Sequence, residues 1–261
     1  MKIIKLVIVL SLSILVSCNK EDESILLTQN GSVKLESIEY RNGLSISGQL
    51  TTELFNYDND RLINVEHIYY TNTSKEFIYD SNNRLLEILT TNENEILPIS
   101  KDSLVYNSKG EIIRIIKFDS YTTSLEIFAE IEFEYDNEGQ IIKNTYTSLR
   151  NQIQIYTITE YEWENGNIVK SSDYDSNNTL LVDWFYEYDN KLNYKKNNPY
   201  FLENILDWTA NNPIKSTAED HSGLLDLICN PCTAHYDYKS DLPTKIKYEW
   251  NYEIIVKYAE K

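Results

Sequence analysis

One short motif recurs through most of the chain and strongly limits what the chain can fold into. An aromatic residue and an adjacent acidic or amide residue are followed within a few positions by turn-forming residues and then by an aliphatic residue. Successive copies lie 22 to 29 residues apart, and the last, degenerate copy lies at about twice that distance. The aromatic positions are Tyr57, Tyr79, Tyr106, Tyr135, Trp163, Tyr188 and Tyr238. Repetition at this period indicates one supersecondary unit copied along the chain.

The residues around one copy show what that unit is. Residues 131–135 alternate apolar and acidic side chains, which predicts a strand with one aromatic face. Asp136 and Gly139 supply turn chemistry, because Asp caps its own turn and Gly accepts a positive φ. Ile141 and Ile142 then begin a second strand of β-branched residues. Each unit is therefore predicted to be a β-hairpin of about 25 residues.

A single hairpin is not stable alone, so the units must pair edge to edge. The sequence predicts an all-β antiparallel meander of about seven to eight repeated hairpins that forms a curled sheet or partial barrel. We expect it to be soluble, because outward positions such as Glu132 and Glu134 would be costly against lipid. The hairpin repeat is interrupted over 193–235, which predicts one irregular or short helical insertion there.

The first residues read as an export signal. A basic start with Lys2 and Lys5 precedes an apolar run that is short for a membrane span. Residues 15–18, Leu-Val-Ser-Cys, resemble the lipobox of bacterial lipoproteins, which implies acylation of Cys18. The predicted organisation is a signal peptide over 1–17, a lipidated Cys18 with a flexible tether over 18–34, and a β domain over 35–261. The open alternative is an ordinary secretory signal.

The repeat resembles the YD repeat of RHS-type shells. Together with the lipobox, the chain resembles a group of Bacteroidota-type lipoproteins of unknown function that are described as having a porin-like β fold. Lys20, followed by Glu21 and Asp22, resembles the surface-export signal of such lipoproteins. The resemblance implies a protein anchored by lipid in the outer membrane and facing the cell exterior. It brings no catalytic residue with it.

Aromatic residues are the first candidates for a ligand site. Tyr and Trp offer a flat apolar face with a polar tip, which suits sugar rings and peptides. The candidate groove residues are Trp163, Trp184, Trp250, Tyr161 and Tyr186. The alternative is that these rings form the core of the sheet, since both roles fall on the same strand face.

A second candidate combines cysteine and histidine. Cys229 and Cys232 lie close to His221 and His235 in the sequence. Exported proteins meet oxidising conditions, so a disulfide between the two cysteines is the favoured interpretation. Free thiols remain open, as does a metal site made of Cys229, Cys232, His235 and His221.

Charge and composition narrow the function. The formal net charge of -17 argues against a nucleic-acid partner, which needs clustered Lys and Arg. No glycine-rich nucleotide fingerprint is present, and we expect no cofactor and no catalytic activity. The leading hypothesis is a lipid-anchored cell-envelope protein that binds a glycan or a protein. The alternatives are an accessory subunit of an outer-membrane complex, and a redox or metal-dependent enzyme.

Overall fold

The computed structural model describes residues 33–42, 50–68, 72–95, 97–120, 124–150, 155–223, 230–249 and 252–259. In this part of the chain sixteen antiparallel strands follow one another around a closed barrel. They are β1 (Leu35–Asn42), β2 (Leu50–Asp58), β3 (Arg61–Ile68), β4 (Thr73–Tyr79), β5 (Leu85–Asn92), β6 (Ser100–Tyr106), β7 (Ile112–Ser120), β8 (Leu125–Tyr135), β9 (Ile141–Ser148), β10 (Ile155–Glu164), β11 (Asn167–Tyr174), β12 (Leu180–Leu192), β13 (Asn211–Asp220), β14 (Cys232–Lys239), β15 (Leu242–Tyr248) and β16 (Tyr252–Tyr258).

The predicted curled sheet or partial barrel is wrong, because the sheet closes completely. β1 pairs with β16 from Leu35↔Tyr258 to Asn42↔Tyr252, so neither strand is a free edge. Closure satisfies the backbone groups that an open meander would leave unpaired at its two edges. The predicted insertion over 193–235 is also too long, since residues 211–220 and 232–239 are strands of the barrel.

The barrel has two distinct ends. The motif turns, between β2 and β3 and between the equivalent strand pairs, lie at one end, which we call the turn end. The connections between the hairpins, such as that from β3 to β4, lie at the opposite end, which we call the loop end. β1 begins at the turn end, where the Leu35 backbone N–H donates to the Tyr57 hydroxyl at 3.1 Å.

The Asp or Asn of the motif organises the turns that follow Tyr79, Tyr106 and Tyr135. Asp80 Oδ1 accepts hydrogen bonds from the backbone N–H groups of Asn82 and Arg84, at 2.8 and 2.9 Å. These bonds, led by that from Arg84, lower the pKa of Asp80. In the next-but-one hairpin Asp136 makes the same pair of contacts, and Gly139 has a φ of +82°. The motif therefore encodes a capped turn with one left-handed residue.

The aromatic residue of the motif joins one hairpin to the previous one. The hydroxyl of Tyr79 donates to the carbonyl of Leu62, at 2.8 Å, just beyond the preceding turn. The same contact recurs from Tyr106 to the Leu85 carbonyl and from Tyr135 to the Ile112 carbonyl, both at 2.7 Å, and from Trp163 Nε1 to the Ile141 carbonyl, also at 2.7 Å. We call this series the aromatic ladder. It explains why the motif pairs an aromatic donor with an aliphatic residue after the turn.

The two faces of the wall differ in chemistry. Ile131 and Phe133 are buried in the apolar core inside the barrel. Glu134, on the same strand, is 62% exposed on the outside and pairs with Lys143 at 3.0 Å. Glu162 and Glu187 are similarly exposed and lie near Lys170 and Lys215. The alternation along β8 thus separates an apolar interior from a charged exterior.

Residues 193–210 form a plug inside the barrel. This segment joins β12 to β13 at the turn end and contains two short 3₁₀ helices, Pro199–Phe201 and Ile205–Trp208. The side chains of Asn198 and Asn204 cap these helices, and Ile205 lies in the core with only 3% exposure. Asn193 ties the plug together through bonds to the carbonyls of Asp207 and Thr209, both at 3.3 Å. Among the described residues, no helix has the length and apolar character needed to cross a membrane.

Candidate functional site

A cavity of about 520 Å³ lies at the turn end, between the plug and the wall from β2 to β7. Its volume falls in the range of about 300–1,000 Å³ that is typical of small-ligand sites. Its floor is aromatic and aliphatic, and its rim is made of amide and charged side chains. The lining residues are Tyr57, Asp58, Asn59, Asp60, Arg61, Leu62, Tyr79, Asn83, Leu85, Tyr106, Ile112, Asn197, Asn198, Pro199 and Leu202.

The three tyrosines of the cavity are fixed in place. Tyr79 and Tyr106 are held by the aromatic ladder, and Tyr57 accepts the bond from Leu35. Arg61 lies over the ring of Tyr79 at 5.2 Å from its centroid, and Lys34 lies 5.5 Å from that of Tyr57. Burial raises the pKa of Tyr57 to about 12, so its hydroxyl stays neutral at physiological pH. The cavity therefore offers rigid, uncharged aromatic surfaces.

The charges at the rim are paired with one another. Lys34 Nζ contacts Asp60 Oδ1 at 2.8 Å and also donates to the carbonyl of Asn59 at 2.5 Å. Arg61 contacts Asp58 at 3.2 Å. Two cations and two carboxylates balance, so the rim presents alternating polar groups with no excess of either sign. Such a rim suits a neutral polar ligand better than a strongly charged one.

Three asparagines of the lining adopt the left-handed backbone conformation. Asn59, Asn83 and Asn197 have φ values of 54°, 64° and 61°. Asn adopts this conformation more readily than most residues, so it keeps the turn while adding a carboxamide that can both donate and accept. At the turn position equivalent to Asn83, the next two hairpins carry Gly110 and Gly139. Asn83 in place of Gly thus adds a hydrogen-bonding carboxamide to this cavity.

The inner half of the lumen, toward the loop end, holds a buried carboxyl group. Glu53 accepts hydrogen bonds from the hydroxyls of Tyr200 in the plug, at 2.5 Å, and Tyr40, at 3.0 Å. Burial raises the pKa of Glu53, and these two bonds partly oppose that effect. The His67 ring lies 3.9 Å from the same carboxyl group. This cluster fixes the tip of the plug against β1, β2 and β3.

A second polar cluster ties the plug to β6 and β7. Lys117 Nζ contacts Glu203 of the plug at 2.8 Å and Asp102 at 3.4 Å. Burial, together with the nearby Glu203 carboxylate, raises the pKa of Asp102 to about 6, although Lys117 acts in the opposite direction. One lysine thus serves two carboxyl groups, and the closer one, Glu203, keeps its charge.

A smaller cavity of about 160 Å³ lies on the other side of the plug. Tyr186, Cys232 and the buried ion pair of Lys195 and Asp207, 3.0 Å apart, all contribute to its lining. Because the two charges of this pair neutralise each other, we interpret the pair as a contact that holds the plug in place. Its volume is below the range typical of a ligand site.

Four of the five sequence-predicted groove residues lie within the described part of the chain, and none of these four lines the turn-end cavity. Trp163 belongs to the aromatic ladder, and Trp184 Nε1 donates to Asp173 at 3.2 Å. Tyr161 packs partly buried against the core, and the hydroxyl of Tyr186 lies 3.0 Å from that of Ser171. Trp250 lies outside the described residues. The structure does not bring the other four residues together into one described groove.

The predicted cysteine and histidine cluster falls only partly within the described residues. Cys232 is disulfide-bonded, whereas Cys229 and Cys18 lie outside the described residues, so their pairing and acylation stay predictions. His235 is exposed on β14. The ring of His221 instead contacts Asp183, with 3.1 Å between Nε2 and Oδ2.

Comparison with known proteins identifies the fold but does not identify an activity. No family model matches the chain, and no curated protein does so either. The structure is similar to a porin-like protein from Bacteroides vulgatus ATCC 8482, with a TM-score of 0.54 and 14% identity over 86% of this chain and 98% of the other. A porin-like protein from Bacteroides uniformis ATCC 8492 gives a TM-score of 0.55 and 10% identity over the same shares. The fold is therefore a porin-like β-barrel.

Sequence reasoning missed the turn-end cavity, although its residues were visible. Tyr57, Tyr79 and Tyr106 were recognised as repeat positions, not as ligand contacts. The signal that could have singled out the cavity is the amide of Asn83 at a left-handed turn position, where the next two repeats carry Gly110 and Gly139. The plug residues that close the cavity carry no repeat signal.

Proposed function

We propose that the protein is a lipid-anchored protein of the cell envelope that binds a glycan in the turn-end cavity and catalyses no reaction. The observation that carries this proposal is the cavity itself, of about 520 Å³, with three fixed tyrosines and a rim of amides. Aromatic faces stack against the apolar faces of sugar rings, and planar amides hydrogen-bond their hydroxyl groups. This is the chemistry that a neutral glycan requires.

The electrostatics of the cavity support a glycan over a charged peptide. The rim charges are paired in Lys34–Asp60 and Arg61–Asp58, so the rim provides oriented hydrogen-bonding groups but no net charge. A charged ligand would have to break one of these pairs to find a partner, and would leave the other member unpaired. A neutral sugar can accept from the cations and donate to the carboxylates without separating them.

The charged exterior supports an anchored barrel over a membrane-spanning one. A barrel in a bilayer needs an apolar outer band about 25 Å tall, with polar groups inside. Here the arrangement is inverted, since Phe133 and Ile131 lie inside while Glu134 and Glu162 are exposed on the wall. A lipid on Cys18 would supply the membrane attachment that this wall lacks.

The direction of β1 determines the end of the barrel at which that anchor would attach. β1 starts at the turn end, so a tether that runs from Cys18 joins the barrel there. The cavity opens at the same end. An anchored barrel would thus hold its ligand site on the side that carries the tether, where glycans of the cell's own envelope are within reach.

Binding can be tested with a matched pair of variants. Asn83→Gly removes a carboxamide from the cavity while keeping a residue that accepts the left-handed backbone. Asn178→Gly makes the same change at a φ of 60° in the turn between β11 and β12, at the loop end. Purified protein is titrated calorimetrically with neutral oligosaccharides derived from mannan, xylan and dextran.

We expect one class of oligosaccharide to bind, and Asn83→Gly to weaken it about tenfold, the effect of one good hydrogen bond. Asn178→Gly should bind as the unchanged protein does. Equal weakening by both variants, or no binding of any of the oligosaccharides, would contradict the proposal.

Location needs a separate test on intact cells. External protease should cleave the chain on intact cells if the barrel faces the exterior, with a periplasmic protein as the control for integrity. Cleavage only after lysis would contradict the exterior placement. A Cys18→Ala variant should lose incorporation of a labelled fatty acid, and unchanged labelling would contradict the lipid anchor.

An accessory role in an envelope complex is the second candidate. Beside each motif turn, one extra residue forms a β-bulge in the barrel wall. In the second hairpin this residue is Leu86, which lies between the pairs Ile78↔Glu87 and Tyr79↔Leu85. Leu86, Ile113 and Ile142 occupy this position in consecutive hairpins and are 36–39% exposed. A row of exposed aliphatic side chains favours contact with another protein. Crosslinking in cells, with and without Ile113→Ser and Ile142→Ser, tests this role.

A further inference from the structure

A mixed cluster of carboxylates and imidazole lies on the outer wall, far from the turn end. Asp183 on β12 is the cross-strand partner of Glu219 on β13, and His221 directly follows the end of β13. One ligand atom from each residue lies within 4.8 Å of the others. We propose that Asp183, Glu219 and His221 bind one zinc-like divalent cation.

The two oxygens of Asp183 face different groups. Oδ1 accepts from the Ser172 hydroxyl at 2.5 Å and from Lys170 Nζ at 3.0 Å. Oδ2 faces His221 Nε2 at 3.1 Å. A carboxylate that ligates a metal through one oxygen commonly has its other oxygen hydrogen-bonded by the surrounding protein. Ser172 and Lys170 therefore orient Asp183 and leave Oδ2 for the cation.

The spacing of one pair of donor atoms, on Asp183 and His221, is close to that required by a tetrahedral ion. Zinc bonds to carboxylate oxygen and imidazole nitrogen are about 2.0–2.2 Å long, so neighbouring ligand atoms lie about 3.3 Å apart. The observed 3.1 Å between Asp183 Oδ2 and His221 Nε2 needs only a small adjustment. The cation would lie between these two atoms in place of their direct contact.

The position of His221 is set by its backbone. Its N–H donates to the carbonyl of Leu181 at 2.9 Å. Asp220 next to it accepts from the backbone N–H groups of Ser222 and Gly223, at 2.9 and 3.0 Å. The imidazole is 38% exposed, so an ion can reach it from solvent, and a water can complete the coordination.

The donor set selects among cations. Two carboxylates and one imidazole suit zinc and neighbouring transition ions, whereas Ca²⁺ and Mg²⁺ prefer oxygen ligands alone. Lys170 lowers the negative charge of the cluster, but it stays on the oxygen that faces away from the ion. The predicted site is therefore a transition-ion site of moderate affinity on the wall near the loop end.

Zinc chloride titrated into the purified, unreduced protein tests the proposal. We expect one equivalent to bind, and His221→Ala and Glu219→Gln each to weaken binding at least tenfold. His235→Ala removes an exposed histidine of β14 that lies outside the cluster, and should leave the affinity unchanged. Zinc should also raise the unfolding temperature of the unchanged protein and of His235→Ala, but not that of His221→Ala.

The proposal is overturned if the unchanged protein takes up no stoichiometric zinc. It is also overturned if His221→Ala and Glu219→Gln bind zinc as tightly as His235→Ala does. Both variants replace exposed side chains, so the fold should persist, and cooperative thermal unfolding of each variant verifies this.

Discussion

At the scale of single residues, the repeated motif works because its aromatic side chain carries a donor. The ladder bonds from Tyr79, Tyr106 and Tyr135 each satisfy a backbone carbonyl just past a turn, where the bulge interrupts regular pairing. Phenylalanine would fill the same space without this bond. The excess of tyrosine over phenylalanine in the chain, 21 to 7, follows in part from this requirement.

Tyr106→Phe tests the ladder. Loss of the hydroxyl leaves the Leu85 carbonyl without its donor, which should lower the free energy of unfolding by about 1–2 kcal/mol. Tyr146→Phe is the control, because Tyr146 also packs against the core and its hydroxyl makes no hydrogen bond within the described residues. Urea denaturation of both variants provides the measurement. Equal effects would show that the ladder adds nothing.

Asp102 gives a prediction about pH. Its pKa in the folded protein is about 6, above the ordinary value, so the folded state binds this proton more tightly than the unfolded state. The corresponding stability is present below pH about 4 and is lost as the pH rises through about 6. The stability of the unchanged protein relative to Asp102→Asn should therefore fall between pH 4 and 7, by at most about 3 kcal/mol. A constant difference across that range would contradict the assignment.

At the scale of elements, the plug makes the barrel interior a core and also shapes the cavity. Its apolar residues fill the lumen, and its polar residues pair with wall residues such as Glu53 and Lys117. Without the plug, Glu53 would lose Tyr200 and keep Tyr40, and Lys117 would lose its closer carboxylate, Glu203. The turn-end cavity is the part of the lumen that the plug leaves open.

Ile205→Ala tests the packing of the plug. Ile205 is 3% exposed, so its truncation should leave a cavity and lower the free energy of unfolding by about 2–4 kcal/mol. Ile142→Ala is the matched control, because Ile142 is 39% exposed on the outer wall and its truncation should cost less than about 0.5 kcal/mol. Similar losses in the two variants would mean that the plug does not pack as described.

The hairpins could be predicted from the sequence, but the plug and the cavity could not. Alternation in 131–135 and the Asp136–Gly139 turn are local signals, and both are confirmed by β8, β9 and the turn between them. The plug residues contact strands that lie far away in sequence, as Tyr200 contacts Glu53. No local pattern encodes such contacts. Asp183 on β12 and Glu219 on β13 are separated in sequence by the plug. Their pairing likewise depends on the register between these two strands.

At the scale of the whole molecule, closure joins the first strand to the last. We call the pairing of β1 with β16 the seam. Ile38 and Val256 are cross-strand partners there and both are buried, so the seam has the same apolar interior as the rest of the wall. Nothing in a local pattern distinguishes a closing strand from an edge strand. The partial barrel predicted from the sequence was wrong for this reason.

A crosslink across the seam tests closure. Arg41 and Glu253 are cross-strand partners on β1 and β16, and Arg41 is exposed. Arg41→Cys combined with Glu253→Cys should be joined by a short bismaleimide, and mass spectrometry of the digest should show the linked peptides. The control pair, Arg41→Cys with Glu134→Cys on β8, should not be joined. An open sheet would give no link in either pair.

NMR mapping of bound glycan tests whether the turn-end cavity holds the ligand. Backbone amide shifts of ¹⁵N-labelled protein are followed while a neutral oligosaccharide is added to saturation. If the cavity holds the ligand, shift changes should concentrate in residues 58–62, 83–85 and 197–199, which contribute to its lining. Changes concentrated on the outer wall or at the loop end, or no changes at all, would contradict it.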